Sequence, residues 1–145
     1  MKSIITLLVS ILLPCCVFAT ELKPFTTDGC SVFPDGTGDQ QSLWLKCCIK
    51  HDFDYWKGGT FQERMLSDKK LESCVTGVGE KNIAKIMLIG VRIGGSPFIP
   101  APYRWGYGWP YPRGYQTLTK NENRLVKEKL HQTIQILQDL SLGLN

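Results

Sequence analysis

Two adjacent cysteines opening a helical stretch constrain this chain more than any other feature. They stand in Cys47-Cys48-Ile49-Lys50-His51-Asp52-Phe53-Asp54-Tyr55, together with the first of the chain's two histidines. Residues four apart on a helix share a face, so Cys47, His51 and Tyr55 line one stripe, while Cys48 and Asp52 line its neighbour. A helix whose cysteines are bonded to other segments cannot slide. Reactive side chains placed on it inherit that rigidity.

Disulfides require an oxidising compartment, and the first 19 residues are consistent with one. Lys2 supplies a positive start, Ile4 to Val17 is almost wholly apolar, and Val17-Phe18-Ala19 offers the small residues that signal peptidase requires. The expectation is a signal peptide over 1–19 and an exported domain over 20–145, secreted or periplasmic. The alternative, a lipoprotein site at Cys15 or Cys16, lacks the usual small residue before the modified cysteine. Cleavage after Ala19 leaves Cys30, Cys47, Cys48 and Cys74, which in a small exported domain are far more often two disulfides than a metal site. Zinc held by three of them and His51 is the other option, with adjacent ligands fitting a tetrahedron poorly. Lys and Arg outnumber Asp and Glu by 17 to 13, a formal charge of +4 over the whole chain. That mild excess suits an anionic membrane surface, but there is no basic cluster of the kind nucleic-acid binding needs.

The rest of the pattern is helical. Residues 26–39 are loop chemistry, dense in Gly, Asp, Thr and Pro. A helix is expected from about Ser42 to the Gly58-Gly59 stop, and Thr60-Phe61-Gln62-Glu63 is a capping box that opens a second helix through Leu66, Leu71 and Val75. So short a turn makes the two helices antiparallel neighbours. Lys81 to Ile93 is apolar around most of its circumference, interrupted by Lys85 and Arg92, and at that length reads as a buried core helix rather than a membrane span. Gly94 to Gly114 is a Gly/Pro-rich loop carrying Tyr103-Arg104-Trp105-Gly106-Tyr107-Gly108-Trp109-Pro110-Tyr111. Its aromatics suit either a lipid-contacting surface or a loop folded over the core. Thr119-Lys120-Asn121-Glu122 opens an amphipathic C-terminal helix with Leu125, Val126, Leu130, Ile134, Leu137 and Leu140, on which His131 is a surface residue. The fold class expected is all-α.

Cys-Cys-x-x-His-Asp followed two residues later by tyrosine resembles the active-site helix of the secreted phospholipase A2 superfamily, in a divergent, prokaryotic-type form. The second helix fits as well, with Ser67, Asp68 and Cys74 at the matching places. The likeness covers roughly residues 29 to 75. It departs at Asp54 and Ser67, where the family has a bonded cysteine pair, so one bridge is missing as a unit. The resemblance implies pairing of Cys30 with Cys48 and of Cys47 with Cys74. It implies that His51 takes a proton from the water that attacks the sn-2 ester of a phospholipid. Asp68 would fix the histidine tautomer, and Tyr55 would hold Asp68. It also implies Ca2+ as cofactor, bound by Asp52 and by the carbonyls of Gly29, Ser31 and Phe33, with Asp28 or Asp35 as further carboxylates. Ser31-Val32-Phe33-Pro34 stands where the family has glycines, and the loop is left open to hold no metal. The first hypothesis is therefore calcium-dependent hydrolysis at a phospholipid or membrane surface. The alternative is a non-catalytic module of the same scaffold that binds lipid or protein.

Overall fold

The computed structural model describes residues 21–143, so the expected signal peptide and its lipoprotein alternative lie outside the described residues. Regular structure there consists of four helices, α1 Leu45–Lys57, α2 Phe61–Gly77, α3 Lys81–Gly94 and α4 Lys120–Gly143. Two disulfides brace them. Cys30–Cys48 ties the 26–39 loop to α1, and Cys47–Cys74 ties α1 to α2. With all four cysteines bonded to one another, the zinc alternative is overturned.

Each helix follows from its local sequence. α1 buries Cys47, Cys48, His51, Tyr55 and Trp56, the face set by four-residue spacing. It starts at Leu45 rather than near Ser42, because the Trp44 amide donates to the Asp35 carbonyl (3.0 Å) and its indole donates to the Pro34 carbonyl (2.6 Å). Trp44 thus belongs to the loop's hydrogen bonds before it can join a helix. α2 begins at the expected capping box: the Glu63 amide donates to Thr60 Oγ1 and the Thr60 amide to Glu63 Oε2. Its buried stripe is Arg64, Ser67, Asp68, Leu71 and Val75, while Leu66 is exposed.

α3 departs from expectation. It packs against α2 and buries only Ala84 and Met87, leaving Ile86, Ile89 and Ile93 in solvent at 55%, 60% and 73% exposure. A core helix needs cover on both sides, and α3 has it on one. α4 opens at the Thr119–Glu122 box and buries Val126, but Ile134, Leu137 and Leu140 are exposed. Its amphipathic stripe is therefore seated only in its first turns.

Two apolar clusters result. Trp44, Cys47, Cys48, Leu71, Val75, Ala84 and Met87 form the one around the disulfides. Leu22, Trp56, Trp109 and Val126 form the other, where the Gly/Pro-rich segment meets the end of α1. That segment is core, not lipid-facing surface, at its tryptophans: Trp105 and Trp109 are each 1% exposed, although Tyr103 and Tyr111 remain exposed. Indoles need a partner when buried, and the carbonyls that a helix leaves free at its C-terminus supply them. Trp109 Nε1 donates to the Lys57 carbonyl and Trp105 Nε1 to the Gly59 carbonyl, while the Gly106 and Gly108 amides take those of Tyr55 and Trp56. Gly108 is required there because a Cβ would lie 2.5 Å from the Trp56 indole and 2.7 Å from its carbonyl oxygen.

Candidate active site

His51 and Asp68 meet between α1 and α2. His51 Nε2 lies 3.0 Å from Asp68 Oδ1, and Asp68 is fully buried. Tyr55, one turn after His51, donates its hydroxyl to the same Oδ1 at 2.8 Å and packs its ring 4.2 Å from the imidazole. Burial first, and the neighbouring Asp68 second, push the Tyr55 phenol well above the ordinary tyrosine range, so it stays a donor. The contacts of Asp68 and Tyr55 with the histidine are therefore those expected for a fixed ring and tautomer.

Two arginines complete the back of the site, and neither was assigned a role from the sequence. Arg64, one turn before Asp68 on α2, donates Nε to Tyr55 Oη (3.1 Å), and its other nitrogens to Tyr115 Oη and to the Val91 and Arg92 carbonyls. Arg92 of α3 brings Nε to 2.8 Å from Asp68 Oδ2, an ion pair. The two atoms are not aligned for a hydrogen bond, and neither has another partner. Arg92 also reaches the Met65 sulfur and carbonyl. The signals were present in the pattern, since Arg64 falls in the apolar stripe of α2 and Arg92 interrupts the apolar run of α3.

In front of His51 lies a cavity of about 190 Å3, which Gly29, Ser31, Phe33, Asp52 and Tyr55 share with it. The expected base, its tyrosine, Asp52 and the three loop residues thus reach one space, while Asp68 stands behind the ring and Asp28 and Asp35 do not line the cavity. Met87, Val91 and Tyr103 make the far wall apolar. Among the described residues no group bonds His51 Nδ1, the nitrogen left over once Asp68 has taken Nε2.

Asp52 is half-buried, and its one hydrogen bond is accepted from the Thr27 hydroxyl at 2.6 Å. Desolvation pushes its carboxyl up to about 6, outweighing the Thr27 bond and the nearby His51, which pull the other way. Among the described residues it has no cationic partner in an ion pair. The 29–33 turn beside it carries positive φ at Gly29 (79°) and Ser31 (56°), and the Phe33 amide closes it on the Cys30 carbonyl. Asp35 accepts from the Cys30 amide and Asp28 from the Ser31 hydroxyl, so both carboxylates brace the turn. No three His, Cys, Asp or Glu side chains among the described residues converge on a point that could hold a metal. A metal shell here would have to combine one carboxylate with backbone oxygens. A half-buried carboxylate without an ion-pair partner is a hard oxygen donor of the kind a calcium ion takes, and its remaining ligands would have to be backbone carbonyls or water.

The two positions at which the phospholipase A2 pattern lacks its cysteines are also accounted for. Asp54 pairs with Lys57 and lies 3.8 Å from Lys70 on α2, while Ser67 is buried with its hydroxyl unpartnered. At these positions the contact between α1 and α2 is the Asp54–Lys70 ion pair. No protein-family model, no curated protein and no solved structure matches the chain.

Proposed function

We propose that this protein is an exported phospholipase A2-like hydrolase that cleaves the sn-2 ester of phospholipids with calcium at Asp52. The observation that carries the reading is the His51–Asp68 contact across two disulfide-linked helices, read as an antiparallel pair, with the ring's other nitrogen free and its cavity shared with a half-buried carboxylate. His51 Nδ1 takes a proton from a water molecule as the oxygen bonds to the ester carbonyl carbon. The same imidazole returns that proton to the departing alcohol oxygen when the carbonyl–oxygen bond breaks. Asp68 and Tyr55 hold the ring in the tautomer whose Nδ1 carries the lone pair before the water is deprotonated and again once the proton has been returned.

Asp52, with carbonyls of Gly29, Ser31 and Phe33, would hold the ion. Calcium held there would supply positive charge toward the carbonyl oxygen of the ester. Apolar cavity walls and the exposed Val32, Ile86, Ile89, Ile93 and Phe98 support a lipid as the molecule bound. The disulfides support export.

The test is fatty-acid release from mixed phospholipid vesicles, with calcium and with chelator. Release is expected with calcium, and His51→Gln is expected to lower it about a hundredfold or more without unfolding the domain. Vesicle binding with no release under any condition would replace hydrolysis by the non-catalytic binding module.

A further inference from the structure

Arg64 and Arg104 are both buried, and they are treated oppositely. Arg64 is 4% exposed, and each of its three guanidinium nitrogens donates to an acceptor, namely Tyr55 Oη, Tyr115 Oη and two carbonyls. Arg104 is 6% exposed, yet its one side-chain hydrogen bond goes from a terminal guanidinium nitrogen to the Trp109 carbonyl at 2.6 Å. Among the described residues no carboxylate pairs with it. Its remaining neighbour is the Tyr111 ring, 5.5 Å from ring centroid to guanidinium carbon. The guanidinium nitrogens that make no protein hydrogen bond open onto solvent in the groove, where an anion can meet them. Burial lowers its affinity for its proton, and the tyrosine only partly offsets this.

The surroundings suit an anion. Arg104 lines an open groove of about 510 Å3 with Lys23, Thr26, Pro102, Tyr107 and Tyr111, and no acidic side chain lines it. Lys23 is exposed and makes no ion pair, so two cations face one groove without a carboxylate between them. The groove shares Thr26, Pro102 and Tyr107 with a neighbouring cleft of about 210 Å3 that holds Asp28 and Asp52. One wall thus separates an acidic cleft from a basic groove.

The geometry points to a phosphate-ester binding site in this groove, with Arg104 as the anchor and Lys23 as the second cation. A guanidinium fork meets two oxygens of a phosphate, a lysine ammonium balances the remaining charge, and the Tyr107 and Tyr111 rings flank whatever the phosphate is attached to. Such a ligand comes either as a soluble ester or as a lipid headgroup, and both present the same phosphate. The site does not use His51 or Asp52.

The experiment follows the thermal midpoint and calorimetric heat of the mature protein with inorganic phosphate, with glycerol 3-phosphate, and with vesicles of phosphatidylglycerol or of phosphatidylcholine alone. Chloride and acetate at matched ionic strength are the controls. Phosphate is expected to raise the midpoint where chloride and acetate do not. Arg104→Met is expected to lose about tenfold or more in affinity. Lys23→Gln, on an exposed residue that leaves the fold intact, is expected to lose about two- to fivefold. His51→Gln is expected to respond as wild type does, which separates this site from the hydrolytic reading. Arg104-dependent binding of glycerol 3-phosphate identifies a soluble source, and Arg104-dependent preference for phosphatidylglycerol identifies a headgroup. An equal response to acetate overturns the proposal. So does a phosphate response unchanged in Lys23→Gln and, where it folds, in Arg104→Met.

Discussion

The paired helices α1 and α2 and the Gly/Pro-rich segment after α3 hold buried aromatics and polar groups with equal economy but by different means. Between α1 and α2 the constraint is covalent and periodic: Cys47–Cys74 fixes the register, and every functional side chain falls on a three- or four-residue repeat. In the 95–119 segment there is neither a helix nor a disulfide. Order there comes from N–H groups of tryptophan and glycine finding carbonyls at the end of α1 and just past it, at Gly59. The segment completes α1, and through α1 it supports Tyr55, against which the Trp105 ring packs edge-on at 5.1 Å. A site on a short helix is only as rigid as the helix's ends.

If that comparison is right, removing one tryptophan should cost more than removing a covalent link. Trp109→Ala is expected to lose about 3 to 5 kcal/mol, measured by urea unfolding. Trp109→Phe, which keeps most of the buried area but cannot donate to Lys57, is expected to lose about 1 to 3 kcal/mol. A midpoint unchanged in Trp109→Ala, with vesicle affinity lost, would return this loop to the lipid-facing surface.

The double variant Cys47→Ala/Cys74→Ala sharpens the other side. Its expected cost is about 2 to 4 kcal/mol, below that of Trp109→Ala. Under the hydrolytic reading it should lower the rate further than stability alone explains, because His51 and Asp68 lose their common register. Activity that falls only in proportion to the folded fraction would mean that packing, not the bridge, sets the distance between them.

How far each region was legible follows from the same contrast. Cys47, His51, Tyr55 and the Thr60 box are local in sequence, and their periodicity was sufficient to place α1, α2 and the side chains on their shared face. The roles of Trp105 and Trp109 depend on partners 46 and 52 residues away, so no local pattern could reveal them. Alternating glycine and tryptophan was compatible with a membrane surface and with a buried cap alike. α3 departs from its pattern for a related reason. Ile86, Ile89 and Ile93 are as apolar as core residues, and only the absence of a neighbour on their side among the described residues leaves them in solvent. Arg92 carried the opposite message, a charge in an apolar run, and its target Asp68 is 24 positions away on another helix.

A smaller change probes the join between the two regions. Tyr55 donates to Asp68, accepts from Arg64 and packs on Trp105. Tyr55→Phe keeps the ring contacts and removes only the hydroxyl, so it is expected to cost about 1 to 3 kcal/mol by leaving Arg64 Nε without its acceptor. Under the hydrolytic reading kcat should fall while KM holds, since the ring of His51 loses its brace and not its substrate. A wild-type kcat would mean that Asp68 is held by Arg92 alone.

The smallest expected effect belongs to Asp52, which lies on α1 but takes its hydrogen bond from the loop before it. Its carboxyl is raised from 3.8 to about 6, mainly by desolvation. The folded state therefore keeps a proton that the unfolded chain has already released between those two values, and stability falls as pH rises through that window. Asp52→Asn carries no such charge. Its urea midpoint should gain on that of wild type between pH 4 and pH 7 without calcium, even though the Thr27 hydroxyl loses a charged acceptor. Adding calcium at pH 7 should then stabilise wild type alone, and the gap should close. The calcium effect should fade as pH drops through about 6, because the proton and the ion compete for one carboxylate. A gap between the two proteins that does not vary with pH would show Asp52 to be solvated. A pH-dependent gap that calcium leaves untouched would keep the desolvated carboxylate and remove the ion from it.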